Sequence, residues 1–246
     1  MRLLASATTA LALCALSAYA TPASAETSPQ VVYGYAWSDG AGHLRILPQS
    51  ATAVRKSYRL KAIRGAKELR LGYTKAAYLR VAVACGLKET EGRVALDAKN
   101  FGRTRCGAAD LSDSLASGPV AVRVHHSGGQ AVKVTEFLPY PSKLSVVRGT
   151  VKRAGDRTLL FTRGGTTVKL GYTHALAFSR VTSRCGAGWL TGRPVNADRD
   201  GLGTKHCGAG DFNAALKKLR HPVLVQIDYQ PRSGQVFQVW EVFGDA

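Results

Sequence analysis

Acidic residues are scarce in this chain: of its 246 residues, 16 are Asp or Glu and 34 are Lys or Arg, which gives a formal net charge of +18. Methionine occurs once, and beyond residue 25 no apolar run is long enough to cross a bilayer. Hydrophobic residues still make up 45% of the chain. The composition therefore excludes a disordered basic tail, which would be less apolar, and a membrane protein, which would be less polar.

Recognisable catalytic motifs are also missing. The chain has no Gly-x-Ser-x-Gly elbow, no His-Glu-x-x-His pair and no phosphate-binding loop. Asn196, Asp198 and Asp200 match the first half of a calcium loop, but the twelfth position of that loop is Cys207 instead of Glu. We expect no enzyme, no catalytic residue, no metal site and no cofactor. A calcium site and a hydrolytic site hidden from the sequence are the alternatives.

The N-terminus has the features of a secretory signal peptide. Arg2 supplies the positive charge, residues 11–20 are apolar, and Ala23-Ser24-Ala25 forms a small-x-small cleavage site. We place the signal peptide at residues 1–25. The rest of the chain is expected to be secreted and extracellular, in an oxidising compartment.

The chain beyond residue 25 is one sequence unit written twice. The second copy repeats three short motifs in the same order: Leu-Gly-Tyr-Thr at 71–74 and 170–173, Cys-Gly at 85–86 and 185–186, and Cys-Gly-Ala-x-Asp at 106–110 and 207–211. A period near 100 residues is the size of a domain. We therefore predict two domains, 26–142 and 143–246, which carry net charges of +8 and +9. They meet at the Pro-rich segment 139–142, which limits flexibility.

Four cysteines remain after signal-peptide cleavage, two in each copy, and three pairings are formally open. The repeat favours Cys85–Cys106 and Cys185–Cys207, because each copy then closes its own bridge. A loop of this size contributes roughly 3 kcal/mol by the chain-entropy argument. We expect these bridges to supply a large share of the stability of two small domains.

The hydrophobic periodicity is mostly that of β-strands. Apolar and polar residues alternate over several short segments, and Gly128-Gly129 and Ser233-Gly234 lie between paired segments as hairpin turns. One helix is predicted in each copy, capped by Asp110 in the first and by Asp211 in the second. The predicted fold class is therefore α+β: two tandem repeats, each an antiparallel β-sheet with a short helix and one disulfide.

The second copy resembles the Streptomyces subtilisin inhibitor family of secreted proteins. The resemblance lies in the Gly-rich loop between Cys185 and Cys207, in the segments 210–214 and 222–228, and in the closing strand 236–243. The first copy shares Pro119-Val120 and the strand 129–137, so that about 60 residues of each copy resemble the family. The resemblance implies an antiparallel sheet with short helices and binding of a secreted serine protease.

Two features of that family are missing here. The protease-binding loop and the disulfide that holds it should lie between the helix and the Pro-Val strand, where this chain has only residues 217–221 and no Cys. A standard-mechanism inhibitor needs a rigid, pre-organised loop. The resemblance therefore implies the fold of the family more strongly than its activity.

We expect a secreted, non-enzymatic binding protein with an extracellular protein partner, including a secreted serine protease. Trp189 lies in a Gly-flanked loop inside the second bridge, and an aromatic residue there is either a binding hot spot or the plug of a small core. The candidate partner-binding residues are Trp189, Arg193, Lys217, Lys218, Arg220 and His221.

The alternative is a basic protein that binds a polyanion or the cell envelope. Its basis is a run of cations that is an insertion relative to the second copy: Arg55, Lys56, Arg59, Lys61, Arg64, Lys67 and Arg70. On a strand, several of these cations would share one face and attract an anionic polymer. The same charges would also protect an exposed sheet edge against pairing with another chain, and the sequence leaves both interpretations open.

Overall fold

The computed structural model describes residues 29–87, 92–189 and 193–243, which form two tandem β-rich units with little helix. We call them repeat 1 and repeat 2. Each has a small barrel of five strands, one short helix and one disulfide. The predicted signal peptide lies outside the described residues, and the predicted joint at 139–142 falls between the last strand of repeat 1 and the first of repeat 2.

The two repeats share one order of elements, apart from a hairpin found in repeat 1. Repeat 1 contains β1 (Gln30–Ser38), β2 (His43–Ile46), β3 (Gln49–Val54), β4 (Ser57–Ala62), β5 (Leu69–Gly72), β6 (Ala77–Arg80), β7 (Thr104–Cys106), α1 (Ala108–Ser117), β8 (Val120–Ser127) and β9 (Gln130–Glu136). Repeat 2 contains β10 (Ser145–Gly155), β11 (Thr158–Arg163), β12 (Thr166–Arg180), β13 (Lys205–Gly208), α2 (Ala209–Lys217), β14 (Val223–Gln230) and β15 (Gln235–Glu241). The long strand β12 takes the place of both β5 and β6.

Both sheets close on themselves, in the order β1-β2-β5-β9-β8 in repeat 1 and β10-β11-β12-β15-β14 in repeat 2. Four pairings in each ring are antiparallel, as the sequence predicts, but β5–β9 and β12–β15 are parallel. A closed ring with an odd number of strands cannot be antiparallel throughout, because the directions must match after one circuit. Periodicity reports only the strands, so the closure could not be predicted from it.

Each barrel encloses its own hydrophobic core. In repeat 1, Leu44, Val122 and Val134 have no exposed surface, and the helix adds Leu111 and Leu115 to the same cluster. The core of repeat 2 has the same plan, with three helical residues, Phe212, Ala215 and Leu216, packed among the strand residues. Burial of these side chains is the main favourable contribution to folding. The helix in each repeat therefore completes a core that the strands leave open.

The two helices begin in the same way. The N-cap is Gly107 in α1 and Gly208 in α2, and each donates its backbone N–H to the carboxylate three residues later, Asp110 at 2.7 Å and Asp211 at 3.1 Å. The two Asp residues therefore stabilise the helix starts from the third helical position, not as the N-caps that the sequence suggests. Half of a capping box thus recurs in both copies.

The predicted disulfides and hairpin turns are confirmed. Cys85–Cys106 and Cys185–Cys207 each form within one repeat, with Cα–Cα distances of 5.5 and 5.6 Å. Gly128 and Gly129 join β8 to β9 with φ values of 55° and 74°, which a two-residue hairpin turn of this kind requires. Local sequence was sufficient for these features, because each depends on residues close together in the chain.

The hairpin β3–β4 is the insertion that distinguishes repeat 1. In repeat 2, β11 is followed directly by β12, whereas in repeat 1 the hairpin extends the sheet beyond β1. Leu60 of β4 is only 2% exposed and packs with Phe101 and Phe137 in a second cluster outside the barrel. Tyr58 stacks on Phe101, with ring centroids 4.9 Å apart. This cluster fixes the hairpin to the barrel.

Candidate functional site: a basic hairpin and the cleft between the repeats

The strand β4 presents cations on its outer face. Because strand residues alternate between faces, Leu60 points into the cluster outside the barrel while Arg59 and Lys61 are exposed. Their partners across the hairpin are the small polar residues Thr52 and Ser50, which are also exposed. The outer face of the hairpin is therefore polar and cationic, with no acidic residue among these paired positions.

The tip of the hairpin adds two more cations, Arg55 and Lys56, both exposed. A loop from elsewhere in repeat 1 supports this tip: the Tyr58 hydroxyl donates to the Lys99 carbonyl at 2.6 Å, and Asn100 Nδ2 donates to the Arg55 carbonyl at 3.0 Å. These contacts bring the exposed side chain of Lys99 next to the tip. We call Arg55, Lys56, Arg59, Lys61 and Lys99 the hairpin patch.

Lys99 is a patch residue that the sequence analysis missed. The sequence shows that its turn recurs, with Asp97 and Asp198 at equivalent positions of the two copies, but not that this turn lies beside the hairpin. Each carboxylate accepts two backbone N–H groups of its own turn, at 2.8 and 2.9 Å. The position of Lys99 in that turn is occupied by Asp200 in repeat 2, so the charge is inverted between the copies. The positive charge at this position is a feature of repeat 1 alone.

The rest of the predicted basic run is divided between other surfaces. Arg64 and Lys67 are exposed in the loop before β5. Arg70, in β5, pairs with Asp39 at 2.7 Å. All seven predicted cations are thus exposed. Among the described residues, Arg70 is the one cation of the seven that forms an ion pair. Glu68, the sole acidic residue within 55–70, takes part in the contact between the repeats.

The predicted partner-binding residues lie on repeat 2. Trp189 is half-buried against its core, stacked on Phe178 with centroids 6.0 Å apart, which matches the core-plug interpretation of the sequence. Arg193, Lys217, Lys218, Arg220 and His221 are exposed, the last four at the end of α2 and in the turn after it. Whether this surface binds a partner stays a prediction.

A buried Arg–Glu pair lies next to the disulfide loop in each repeat, and sequence analysis missed both pairs. In repeat 2, Arg180 and Glu241 are fully buried, with Nε and Oε2 3.1 Å apart. Arg180 also donates to the carbonyls of Cys185, Ala187 and Gly188, each at 2.7 Å. One guanidinium therefore holds the disulfide loop against the barrel. The sequence carries one sign of these pairs, because an arginine recurs at an offset of 100 residues, as Arg80 and Arg180.

The corresponding pair in repeat 1 has different neighbours. Arg80 Nε lies 3.6 Å from Glu136 Oε1, and Arg80 Nη1 donates to the Cys85 carbonyl. Tyr78 occupies the position that Phe178 has in repeat 2. Its hydroxyl donates to the carboxylate of Glu136 and lies 3.0 Å from Ser114 Oγ. Burial and the charge of Glu136 raise the pKa of Tyr78.

The contact between the repeats is built around Trp37. Its Nε1 donates to the Ser233 carbonyl at 2.9 Å, and its ring lies so close to Gly171 that a Cβ atom there would be 2.8 Å away. The Glu68 carboxylate bridges the two units, with Arg45 of repeat 1 at 3.1 Å and Lys169 of repeat 2 at 2.6 Å. None of these long-range partners is adjacent in sequence, so periodicity could not identify them.

Among the described residues, two clusters have side chains close enough to share a metal ion: Cys85, Cys106 and Asp110, and Cys185, Cys207 and Asp211. Their cysteines are already joined as disulfides, and each Asp accepts the N–H of a helix N-cap. Both clusters are therefore accounted for by the fold.

Comparison with family models, curated proteins and solved structures finds no match to this chain. In the part of the chain that the structure describes, no helix has the length and apolar character needed to cross a membrane.

Proposed function

We propose that this chain is a secreted, non-enzymatic protein that binds an anionic polymer of the cell envelope or its surroundings through the hairpin patch. The observation that carries the proposal is the exposure of four patch cations, Arg55, Lys56, Arg59 and Lys61, on an insertion that repeat 2 lacks. Within the described residues, no carboxylate pairs with Arg55, Lys56, Arg59 or Lys61.

The physical basis is the release of counterions from a linear polyanion. Each cation that approaches a polymer charge releases condensed ions, so the observed affinity falls steeply as salt rises. The patch is held in place, because Tyr58 and Leu60 fix the hairpin to the barrel and the ring of Tyr140 lies 4.6 Å from the Arg59 guanidinium. Small five-stranded barrels bind oligosaccharides and oligonucleotides in other proteins.

The proposal is tested on a heparin column and by titration with heparin at several salt concentrations. A variant with Gln at positions 55, 56, 59 and 61 should elute at clearly lower salt than the unaltered protein. Its plot of log affinity against log salt should be shallower by about three to four, one for each lost contact. Isolated cell walls provide a second probe with the same expected order of binding.

A control variant carries the same change in charge on repeat 2, with Gln at Lys152, Arg153, Arg163 and Lys205, all exposed and outside the ion pairs that the described residues form. It should retain most of the affinity. An equal loss in the two variants would show that only net charge matters and would overturn the assignment to the hairpin patch. Failure of the unaltered protein to bind heparin and cell walls would overturn the function.

A second candidate is the binding of an extracellular protein partner, including a secreted serine protease, through the disulfide loop of repeat 2. The observation in its favour is the set of hydrogen bonds from Arg180 to the carbonyls of Cys185, Ala187 and Gly188, since pre-organisation reduces the entropy lost on binding. Purified protein is incubated with subtilisin-like and trypsin-like proteases, and inhibition and complex formation are measured. If the protein inhibits none of these proteases and forms no complex with them in gel filtration, the protease version is rejected.

A further inference from the structure

A cleft of about 620 Å³ lies between the two repeats, beside the Trp37 contact. Repeat 1 contributes its first two strands and the end of the hairpin, while repeat 2 contributes the start of β12 and the loop between β14 and β15. The cleft therefore exists only when the two barrels are docked. Ala62, at the end of β4, lines its edge immediately after Lys61 of the hairpin patch.

The walls of the cleft are largely apolar and come from both repeats. Leu47 and Val168 remain 45% and 38% exposed, which is high for side chains of this size, and the half-buried Tyr229 lies with them. Pro231 completes this wall. Aliphatic groups and one aromatic side chain of this kind provide the surface on which the apolar side of a sugar ring rests.

The polar groups of the cleft are mainly donors. Arg45 and Lys169 share the carboxylate of Glu68, whereas Arg232 has no carboxylate partner within the described residues. Arg232 Nη1 is shielded from solvent and has no acceptor there, and Gln49 Oε1, which lines the same cleft, has no donor. Each such buried group is costly to leave unpaired.

Tyr35 adds a further donor close to Arg232. Tyr35 is only 8% exposed, and none of the described groups accepts a hydrogen bond from its hydroxyl. Burial raises the pKa of Tyr35 and the charge of Arg232 opposes this effect, so the hydroxyl keeps its proton at neutral pH. The lining of the cleft thus combines a cation without a carboxylate partner and a neutral hydroxyl donor with the apolar side chains of Leu47, Val168 and Tyr229.

We propose that this cleft is the subsite for one acidic sugar unit of the polymer. The sulfate or carboxylate of that unit pairs with Arg232 and accepts from the Tyr35 hydroxyl. The apolar face of the ring rests on Tyr229 and Leu47. The inference rests on the proposed function and adds the class of ligand, since a polyphosphate chain has the charge but neither the ring nor its hydroxyl groups.

The test measures binding of a heparin tetrasaccharide by isothermal titration calorimetry and by the fluorescence of Trp37, which lines the cleft. Arg232→Gln should weaken binding about tenfold, and Tyr35→Phe several-fold with the ring retained. Arg232→Lys should restore part of the loss. Arg199→Gln removes an exposed cation of the same repeat and should leave the affinity unchanged. Thermal unfolding of every variant verifies the fold.

Inorganic polyphosphate and a short single-stranded oligonucleotide separate charge from sugar recognition. Arg232→Gln should weaken their binding no more than Arg199→Gln does. Equal losses for Arg232→Gln and Arg199→Gln with the tetrasaccharide would overturn the subsite, and so would a tenfold loss with polyphosphate or the oligonucleotide. If the subsite fails but the variant with Gln at positions 55, 56, 59 and 61 still loses heparin affinity, the proposed function stands. If the unaltered protein does not bind heparin at all, the function itself fails.

Discussion

Two hydroxyls distinguish the surroundings of the two buried Arg–Glu pairs. In repeat 2 the Arg180 guanidinium lies 5.4 Å from the centre of the Phe178 ring. In repeat 1 the hydroxyl of Tyr78, at the equivalent position, donates to Glu136 and lies 3.0 Å from the hydroxyl of Ser114, where repeat 2 has Ala215. A buried carboxylate is expensive unless its lone pairs are matched by donors. In repeat 1 the Tyr78 hydroxyl therefore supplies one of the donors to the carboxylate. In repeat 2 Arg180 donates to Glu241 through both Nε and Nη2.

Replacement of Tyr78 by Phe tests the contribution of this hydroxyl. At neutral pH, the loss of its hydrogen bond to a charged group should lower the free energy of unfolding by about 1.5–3 kcal/mol. The folded pKa of Tyr78 is raised above its ordinary value of 10, so its contribution is complete below pH 10 and is lost as the pH rises further. Tyr78→Phe should therefore show a shallower loss of stability above pH 10 in urea titrations. Tyr140→Phe, which alters an exposed ring, should keep the original pH profile; an identical profile for Tyr78→Phe would contradict the assignment.

For the strands and disulfides, the sequence predicted the features that depend on residues close together in the chain. The alternation in β4, β8 and β14 indicated those strands, and the repeated cysteine positions indicated both disulfides. The closure of the barrels was not predictable, because it depends on pairing between strands that are distant in the chain. The cations of β4 were found, but Lys99 and Arg232 were not, since tertiary contacts alone bring Lys99 to the hairpin and Arg232 to the cleft.

The outer strand of the hairpin has two competing explanations that one variant can separate. Arg59 and Lys61 either bind the polymer or protect the outer edge of β4, beyond the part at Tyr58 that the linker covers, against pairing with a second chain. Replacing both with Thr retains strand propensity and removes the charge. Under the polymer-binding proposal, this variant should lose heparin affinity and remain monomeric in sedimentation velocity at concentrations where the unaltered protein is monomeric. Concentration-dependent association with unchanged heparin affinity would instead favour edge protection.

The whole molecule is more than two copies joined by a linker. Part of the linker is fixed to the hairpin, because the N–H groups of Tyr58 and Tyr140 donate to the carbonyls of Leu138 and Tyr58 at 2.8 Å. The Trp37 ring, the Glu68 bridge and the bond from Gln49 Nε2 to the Arg232 carbonyl at 2.9 Å then hold the barrels together. These contacts between the repeats create a cleft that neither repeat has alone.

The docking of the barrels should depend on Gly171, since a side chain there meets the Trp37 ring. Gly171→Val suits a β-strand but forces the ring away, so we expect the barrels to separate while each keeps its own core. Small-angle scattering should show a larger radius of gyration, and calorimetry should resolve two transitions in place of one. Tetrasaccharide binding in the cleft should be lost, whereas the salt-dependent affinity of the hairpin patch for long heparin should remain.

Adding Trp37→Ala makes room for the valine and should restore part of the compactness. If Gly171→Val left the radius of gyration and tetrasaccharide binding unchanged, the docking would not depend on the Trp37–Gly171 contact.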